Sequence, residues 1–240
     1  MSVRFLPAGD TGLVVEFGSS VDRALSNRVL ALSESLEAAN IAGVVELVPT
    51  FRSLLIHYDP RLTSGASLED GLRSRIAQHG GSGRHGRLWH VPACYDKKYA
   101  PDIAEVAERA GLTIAEVTER HSATQYHVYM IGFVPGLPYM GDTVPELNLP
   151  RRVNPRVRVP PGSIAIAIGQ TIIYPVESPG GWHLIGSTPI SLFDPSRPQP
   201  ALFAPGDAVK FESLSVEDYE AVSRDVAAGR YELRCEEIGR

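Results

Sequence analysis

The sequence predicts an α+β chain of two units: a small N-terminal α+β unit, then a larger unit built on a β-barrel or sandwich. Three observations predict it. Residues 132–206 hold fourteen of the nineteen prolines and only nine charged residues in 75 positions, which suits short strands joined by tight turns. Helical periodicity is concentrated on either side of that stretch. Between them and the first unit, residues 79–86 read His-Gly-Gly-Ser-Gly-Arg-His-Gly, a flexible linker by composition. The expected boundaries are 1–80, a linker at 81–87, and 88–240.

In the first unit, Val3–Leu6 and Leu13–Phe17 are β-prone runs around Gly9-Asp10-Thr11-Gly12. Val21, Leu25, Val29, Leu32 and Leu36 step by three or four and give one apolar stripe on a helix over 21–39. Val44–Val48 and Leu54–Tyr58 read as strands and Leu68–Ala77 as a second helix, so the order is β-β-α-β-β-α. The linker also matches GxGxxG from Gly81 to Gly86, but a dinucleotide site needs a strand before it and a helix after it. Here the order is reversed, and the linker reading stands.

The second unit begins with strand-like Leu88-Trp-His-Val-Pro. A helix with Ile103, Val106, Ala107 and Ala110 on one face follows and ends at Gly111. Thr113 and Glu116 form a capping box for the next helix, with Leu112 and Val117 as its hydrophobic staple. Such a pair resembles a DNA-binding helix-turn-helix, yet its second helix begins Ile-Ala-Glu-Val-Thr-Glu, which would aim carboxylates at phosphates. An αα-hairpin is the better reading. Gln125–Ile131, Ser163–Ile168, Thr171–Tyr174, Trp182–Ile185 and Ile190–Phe193 follow as short strands. Ser215 and Asp218 cap a last helix, and Tyr231, Leu233 and Cys235 alternate in a closing strand, with Cys235 expected in the core.

Composition excludes several classes. The 240 residues sum to a charge of −5, which argues against nucleic-acid binding. No apolar run approaches the ~20 residues that span a bilayer, and Met1-Ser-Val-Arg-Phe-Leu-Pro shows no secretory signal. The expected address is therefore the cytoplasm, with no membrane partner. Two cysteines, Cys94 and Cys235, make neither a disulfide framework nor a metal knuckle. The seven histidines lack metal-ligand spacing, His121 and His127 being the closest pair, so no metal is expected. A phosphate loop, HExxH and a GxSxG elbow are also missing.

Three segments carry the remaining chemistry. Gly132–Gly141 (GFVPGLPYMG) is a turn-rich stretch that offers Tyr139 as an aromatic face with a hydroxyl. Residues 151–163 place four arginines in eight positions, a local positive field suited to a carboxylate or phosphate guest or an acidic partner surface, or else a solvated edge. If Arg156–Val159 is a strand, Arg156 and Arg158 share one face. Residues 169–186 gather Gln170, Tyr174, Glu177, Trp182 and His183 about a double-glycine turn, with Glu177 and His183 the obvious proton-transfer pair.

These strings, with RRVNPRVRVPPGSIAIA and QTIIYPVESPGGWHLIGSTPISLFDP, resemble the B-subunit family of 5-oxoprolinase, which includes the kinase inhibitor KipI and proteins labelled allophanate hydrolase subunit 1. The resemblance runs from FLPAGDTGLVVEFG to APGDAVKFES. It implies a cyclophilin-like β-barrel as the second domain, without implying prolyl isomerase activity. It further implies a subunit inactive alone, which opens 5-oxoproline to glutamate together with two others. The direct partner would be the 5-oxoprolinase C subunit, the functional partner the A subunit. ATP with Mg would be used by the assembled set. Carried onto this chain, the motifs contain Glu177 and His183 as catalytic candidates. Tyr139, Arg152, Arg156, Arg158, Ser163, Gln170, Tyr174 and Trp182 are the substrate or phosphate candidates. Two other readings stay open at this level: an inhibitor of a sensor histidine kinase, and a carboxyltransferase-type subunit of a urea carboxylase or allophanate hydrolase system. The sequence has neither an amidase signature nor a Met-Lys-Met biotin site, so by itself it should neither cleave allophanate nor carry biotin.

Overall fold

The computed structural model describes residues 3–78 and 86–238. The chain divides into two compact units, Met1–His85 and Gly86–Arg240. Residues 81–85 of the expected linker, and with them most of the GxGxxG match, lie outside the described residues. Gly86 and Arg87 belong to the second unit: a Cβ on Gly86 would sit 2.0 Å from the Gly206 carbonyl oxygen, and Arg87 opens a strand.

In the first unit, β1 (Arg4–Pro7), β2 (Gly12–Glu16), β3 (Val44–Pro49) and β4 (Ser53–Tyr58) form an antiparallel sheet in the order β1-β2-β4-β3. Helix α1 (Arg23–Ala39) starts where the Asp22 carboxylate accepts from the Leu25 amide and ends on Asn40 in the left-handed region. Val21 stays outside the helix and half exposed. Helix α2 spans Gly65–Gln78, three residues earlier than its apolar pattern begins. Leu13, Val15, Leu54 and Ile56 on one sheet face meet Val29, Leu32 and Leu36 of α1 and Leu68 and Leu72 of α2.

The second unit is a closed barrel of seven strands. These are β5 (Arg87–Cys94), β6 (Gln125–Ile131), β7 (Pro138–Gly141), β9 (Ser163–Ala167), β10 (Gln170–Ile173), β12 (His183–Ser187) and β13 (Ala208–Leu214). The ring runs β12-β9-β10-β7-β6-β13-β5 and closes through Cys94 opposite Ser187. A separate two-stranded ribbon pairs β8 (Arg156–Val159) with β11 (Ser178–Gly180). Helices α3 (Ile103–Ala110) and α4 (Ile114–Ala123) form the αα-hairpin, with Gly111 left-handed and both halves of the Thr113–Glu116 capping box made. Their apolar sides pack on β12 and β13. Helix α5 (Val216–Ala227) is capped by Ser215. No helix among the described residues is long and apolar enough to cross a membrane.

Two sequence expectations fail here. Ile190 and Leu192 are buried, but Ile190–Phe193 is not a strand; Pro189 cannot donate to a ladder, and only Phe193 bridges, to Ala201. The closing strand β14 is Cys235–Glu237, and Cys235 is exposed. It pairs with the first residues of β5 outside the closed ring, so no second layer covers it.

The strand SIAIA (163–167) explains where a site can form. Ile164 and Ile166 fill the barrel interior, while Ala165 and Ala167 belong to a second apolar cluster with Ile172, Tyr174, Trp182 and Leu184. Both faces of this wall are therefore covered. Alanines on the outer face leave room for the aromatic rings that lie over them.

Candidate functional site

A cleft of about 240 Å³ opens beside this outer cluster. Leu137, Tyr139, Ile172 and Tyr174 line it from the barrel side, Pro155, Pro179, Gly180 and Gly181 from the base of the ribbon, and Trp182 and Arg151 complete it. Phe133, 64% exposed, stands at its rim. Tyr139 meets Trp182 edge-on with ring centroids 6.2 Å apart. The ribbon can approach because residue 180 is glycine: a Cβ there would lie 2.1 Å from the Tyr174 hydroxyl oxygen.

Chain neighbours sort to opposite sides of the ribbon base. Arg151, Pro155 and Trp182 line the cleft, whereas Arg152, Arg156 and His183 join a charged cluster that does not. At the centre of that cluster is Asp102, 5% exposed. It stands at the N-cap of α3 but its carboxylate makes no cap bond. Instead it accepts from Arg152 Nη1 at 3.0 Å, Arg156 Nη2 at 2.6 Å and the Leu184 amide at 2.7 Å. Arg152 also donates to Glu105 at 3.2 Å. A buried carboxylate with this many charge-assisted donors is a rigid brace, and removing it would strand two guanidinium groups.

His183 is fully buried on β12. Its Nε2 lies 3.0 Å from the Pro150 carbonyl, which can only accept, so that nitrogen carries the proton. Nδ1 makes no hydrogen bond and is 4.0 Å from Glu105 Oε1. Glu177 faces Arg158 instead, at 3.6 Å, with both side chains more than half exposed on the outer part of the ribbon. The structure therefore does not bring Glu177 and His183 together, and neither lines the cleft. Ser163 and Gln170 are buried at the ends of the β9–β10 hairpin, also away from it. Of the sequence candidates, Tyr139, Tyr174 and Trp182 meet in one place.

Electrostatically, the arginine field is largely neutralised. Arg152 and Arg156 are paired with Asp102 and Glu105, and Arg158 with Glu177. Arg151 alone of the four has no carboxylate partner among the described residues; its guanidinium lies 5.6 Å from the centre of the Trp182 ring. Burial raises the Tyr139 hydroxyl pKa, opposed by Arg151. It pushes Tyr174 up to about 12, again opposed by arginine, so both hydroxyls stay protonated at neutral pH.

Sequence reasoning missed Arg151, Asp102 and Glu105. The Arg-Arg pair was visible, but which of the two faces a guest depends on the turn of the backbone. Asp102 and Glu105 belong to a helix read only for its apolar face. The histidine pair His121 and His127 is not a metal site. Tyr95 donates to His121 Nδ1 at 2.7 Å, His121 Nε2 donates to Thr171 at 3.0 Å, and His127 packs edge-on against Tyr129. No group of three or more His, Cys, Asp or Glu among the described residues is arranged to hold a metal ion.

Residues 3–203 match the family "carboxyltransferase domain, subdomain C and D". The chain is 34% identical to the 5-oxoprolinase B subunit of Bacillus subtilis strain 168, covering 94% of this chain and 99% of that one. The crystal structure of TTHA0988 superposes with a TM-score of 0.76 at 37% identity, over 89% of this chain. This chain spans only 40% of that longer one. The Kluyveromyces lactis urea carboxylase structure shares the fold, with a TM-score of 0.81 at 21% identity over 98% of this chain and 24% of that one.

Proposed function

The chain belongs to the B-subunit family of 5-oxoprolinase, within the carboxyltransferase subdomain C and D group, and from that premise we propose that it is a non-autonomous subunit of an ATP-dependent 5-oxoprolinase. In this reading it acts with the A and C subunits to open 5-oxoproline to glutamate. The observation that carries the reading is the end-to-end match to a curated B subunit, with almost nothing of either chain left over.

The chemistry is consistent with a shared task. A lactam amide is resonance-stabilised and needs its oxygen activated before water can open it, which is what ATP supplies to the assembled enzyme. The cleft does not fit a nucleoside triphosphate with Mg: its lining holds one cation and no carboxylate, and its volume is about 240 Å³. ATP handling is accordingly assigned to the partner subunits. This chain's contribution is a cleft lined by aromatic and apolar side chains that binds and orients a small substrate.

The test is glutamate formation from 5-oxoproline and ATP by the three purified subunits together, against the same mixture lacking this chain. Glutamate that requires the chain is the expected result. No glutamate from a correctly assembled mixture overturns the reading in favour of kinase inhibition or carboxyl transfer.

A further inference from the structure

Hydrogen-bonding groups of the cleft are unusually one-sided. Tyr174 and Trp182 are 1% and 5% exposed, yet neither the Tyr174 hydroxyl nor the Trp182 indole N–H makes a hydrogen bond among the described residues. Neither atom is among the fully enclosed polar atoms that lack a partner, so each opens onto the cleft, where a guest can accept from it. Arg151 adds a third donor with no polar partner. Two of the three can only donate, and the lining contains no carboxylate to satisfy them. A guest rich in acceptors would satisfy all three at once.

Charge and shape narrow the class. Arg151 is the one charged residue lining the cleft, since Arg152 and Arg156 face Asp102 and Glu105, and Arg158 faces Glu177. One cation suits a monoanion better than a phosphate ester. The remaining lining is Leu137, Ile172, Pro155 and Pro179, which suits a carbon ring, and about 240 Å³ lies below the range for drug-sized ligands.

We infer that the cleft selects a small ring acid: Arg151 pairs with its carboxylate, while the Tyr174 hydroxyl and the Trp182 N–H serve a ring carbonyl. Arg152 and Arg156 are withheld from the substrate by Asp102 and act as a brace that fixes the backbone carrying Arg151. The class follows from the cleft itself. Naming the acid as 5-oxoproline rests on the function proposed above.

Trp182 supplies the readout. The full chain is titrated with 5-oxoproline, and separately with 2-pyrrolidinone, the same lactam without the carboxylate, while tryptophan fluorescence is followed. The expected result is a saturable change with 5-oxoproline that Trp182→Phe removes. At equal concentration 2-pyrrolidinone should give none. Arg151→Ala should weaken binding about tenfold to a hundredfold, Arg151→Lys should restore part of the loss, and Arg158→Ala should leave binding within about twofold. Because Arg151 makes no ion pair among the described residues and meets only the Trp182 ring, its variants should move the denaturation midpoint only slightly. The inference falls if native chain does not bind 5-oxoproline, if Arg151→Ala binds like native, or if 2-pyrrolidinone binds as well as the acid. The two proposals fail separately. An assembled enzyme that needs this chain but runs at full rate with Arg151→Ala at low 5-oxoproline would sink the inference alone. A chain that binds 5-oxoproline through Arg151 in a mixture that makes no glutamate would sink only the proposed activity.

Discussion

At the scale of single residues, burial decides which titratable groups matter. His121 is wholly enclosed beside Tyr126 and Phe211, and burial lowers its pKa from 6.5 to about 3. In the unfolded chain the same imidazole titrates near 6.5, so between those values the unfolded state binds more protons and stability falls as pH falls. The slope is about 1.4 kcal/mol per pH unit, which makes the native chain about 2 kcal/mol less stable at pH 5 than at pH 7 from this group. His121→Gln should lower stability at pH 7 yet shrink the difference between the two pH values by about that amount, as read by urea denaturation. An undiminished difference would show that His121 is not the group responsible. Asp102 is a buried carboxylate that accepts from two guanidinium groups. Nothing about its sequence neighbourhood distinguishes it from a helix cap.

Among the secondary elements, glycines show how local geometry and site are linked. Gly180 is a steric requirement, since any Cβ there meets the Tyr174 hydroxyl. Gly180→Ala should force the ribbon away from the ring or drive the ring into the cleft, at a cost of about 1–3 kcal/mol. Gly71 lies exposed within α2 with open space around it, and Gly71→Ala should instead stabilise by about 0.5–1 kcal/mol. Opposite shifts of the urea midpoint are expected; equal shifts would mean that Gly180 is not a contact position. The helix signals were legible from sequence because they are local: Thr113, Glu116, Gly111 and Ser215 each act within one turn. The ribbon was not. Val157 is 84% exposed and Val159 fully buried although both share a strand face, because the ribbon is anchored at one end and projects at the other.

For the whole molecule, each unit closes its own core, one between a sheet and two helices and one inside and outside the barrel wall. Residues 86–240 expressed alone should therefore fold, with the cleft intact, and show a cooperative melting transition. Loss of near-ultraviolet dichroism in that fragment would mean that its core depends on the first unit. The barrel also explains why the second unit was harder to read than the first. Its ring closes through β12 and β5, far apart in sequence, and its walls are covered on both faces, so strict alternation is lost from strands such as SIAIA.

What the sequence determined by itself is what depends on short range: two units, helix caps, the β-rich composition of the second, and motif strings long enough to carry a family. It also named Tyr139, Tyr174 and Trp182 as candidates, which the fold brings together at one cleft. Only the tertiary structure decided which charges are available. Four neighbouring arginines look equivalent along the chain, and three are neutralised by carboxylates, two of which come from a helix about fifty residues away. Pairing of that kind is set by how strands and helices meet in space. That meeting left Arg151 unpaired at the cleft and His183 behind it.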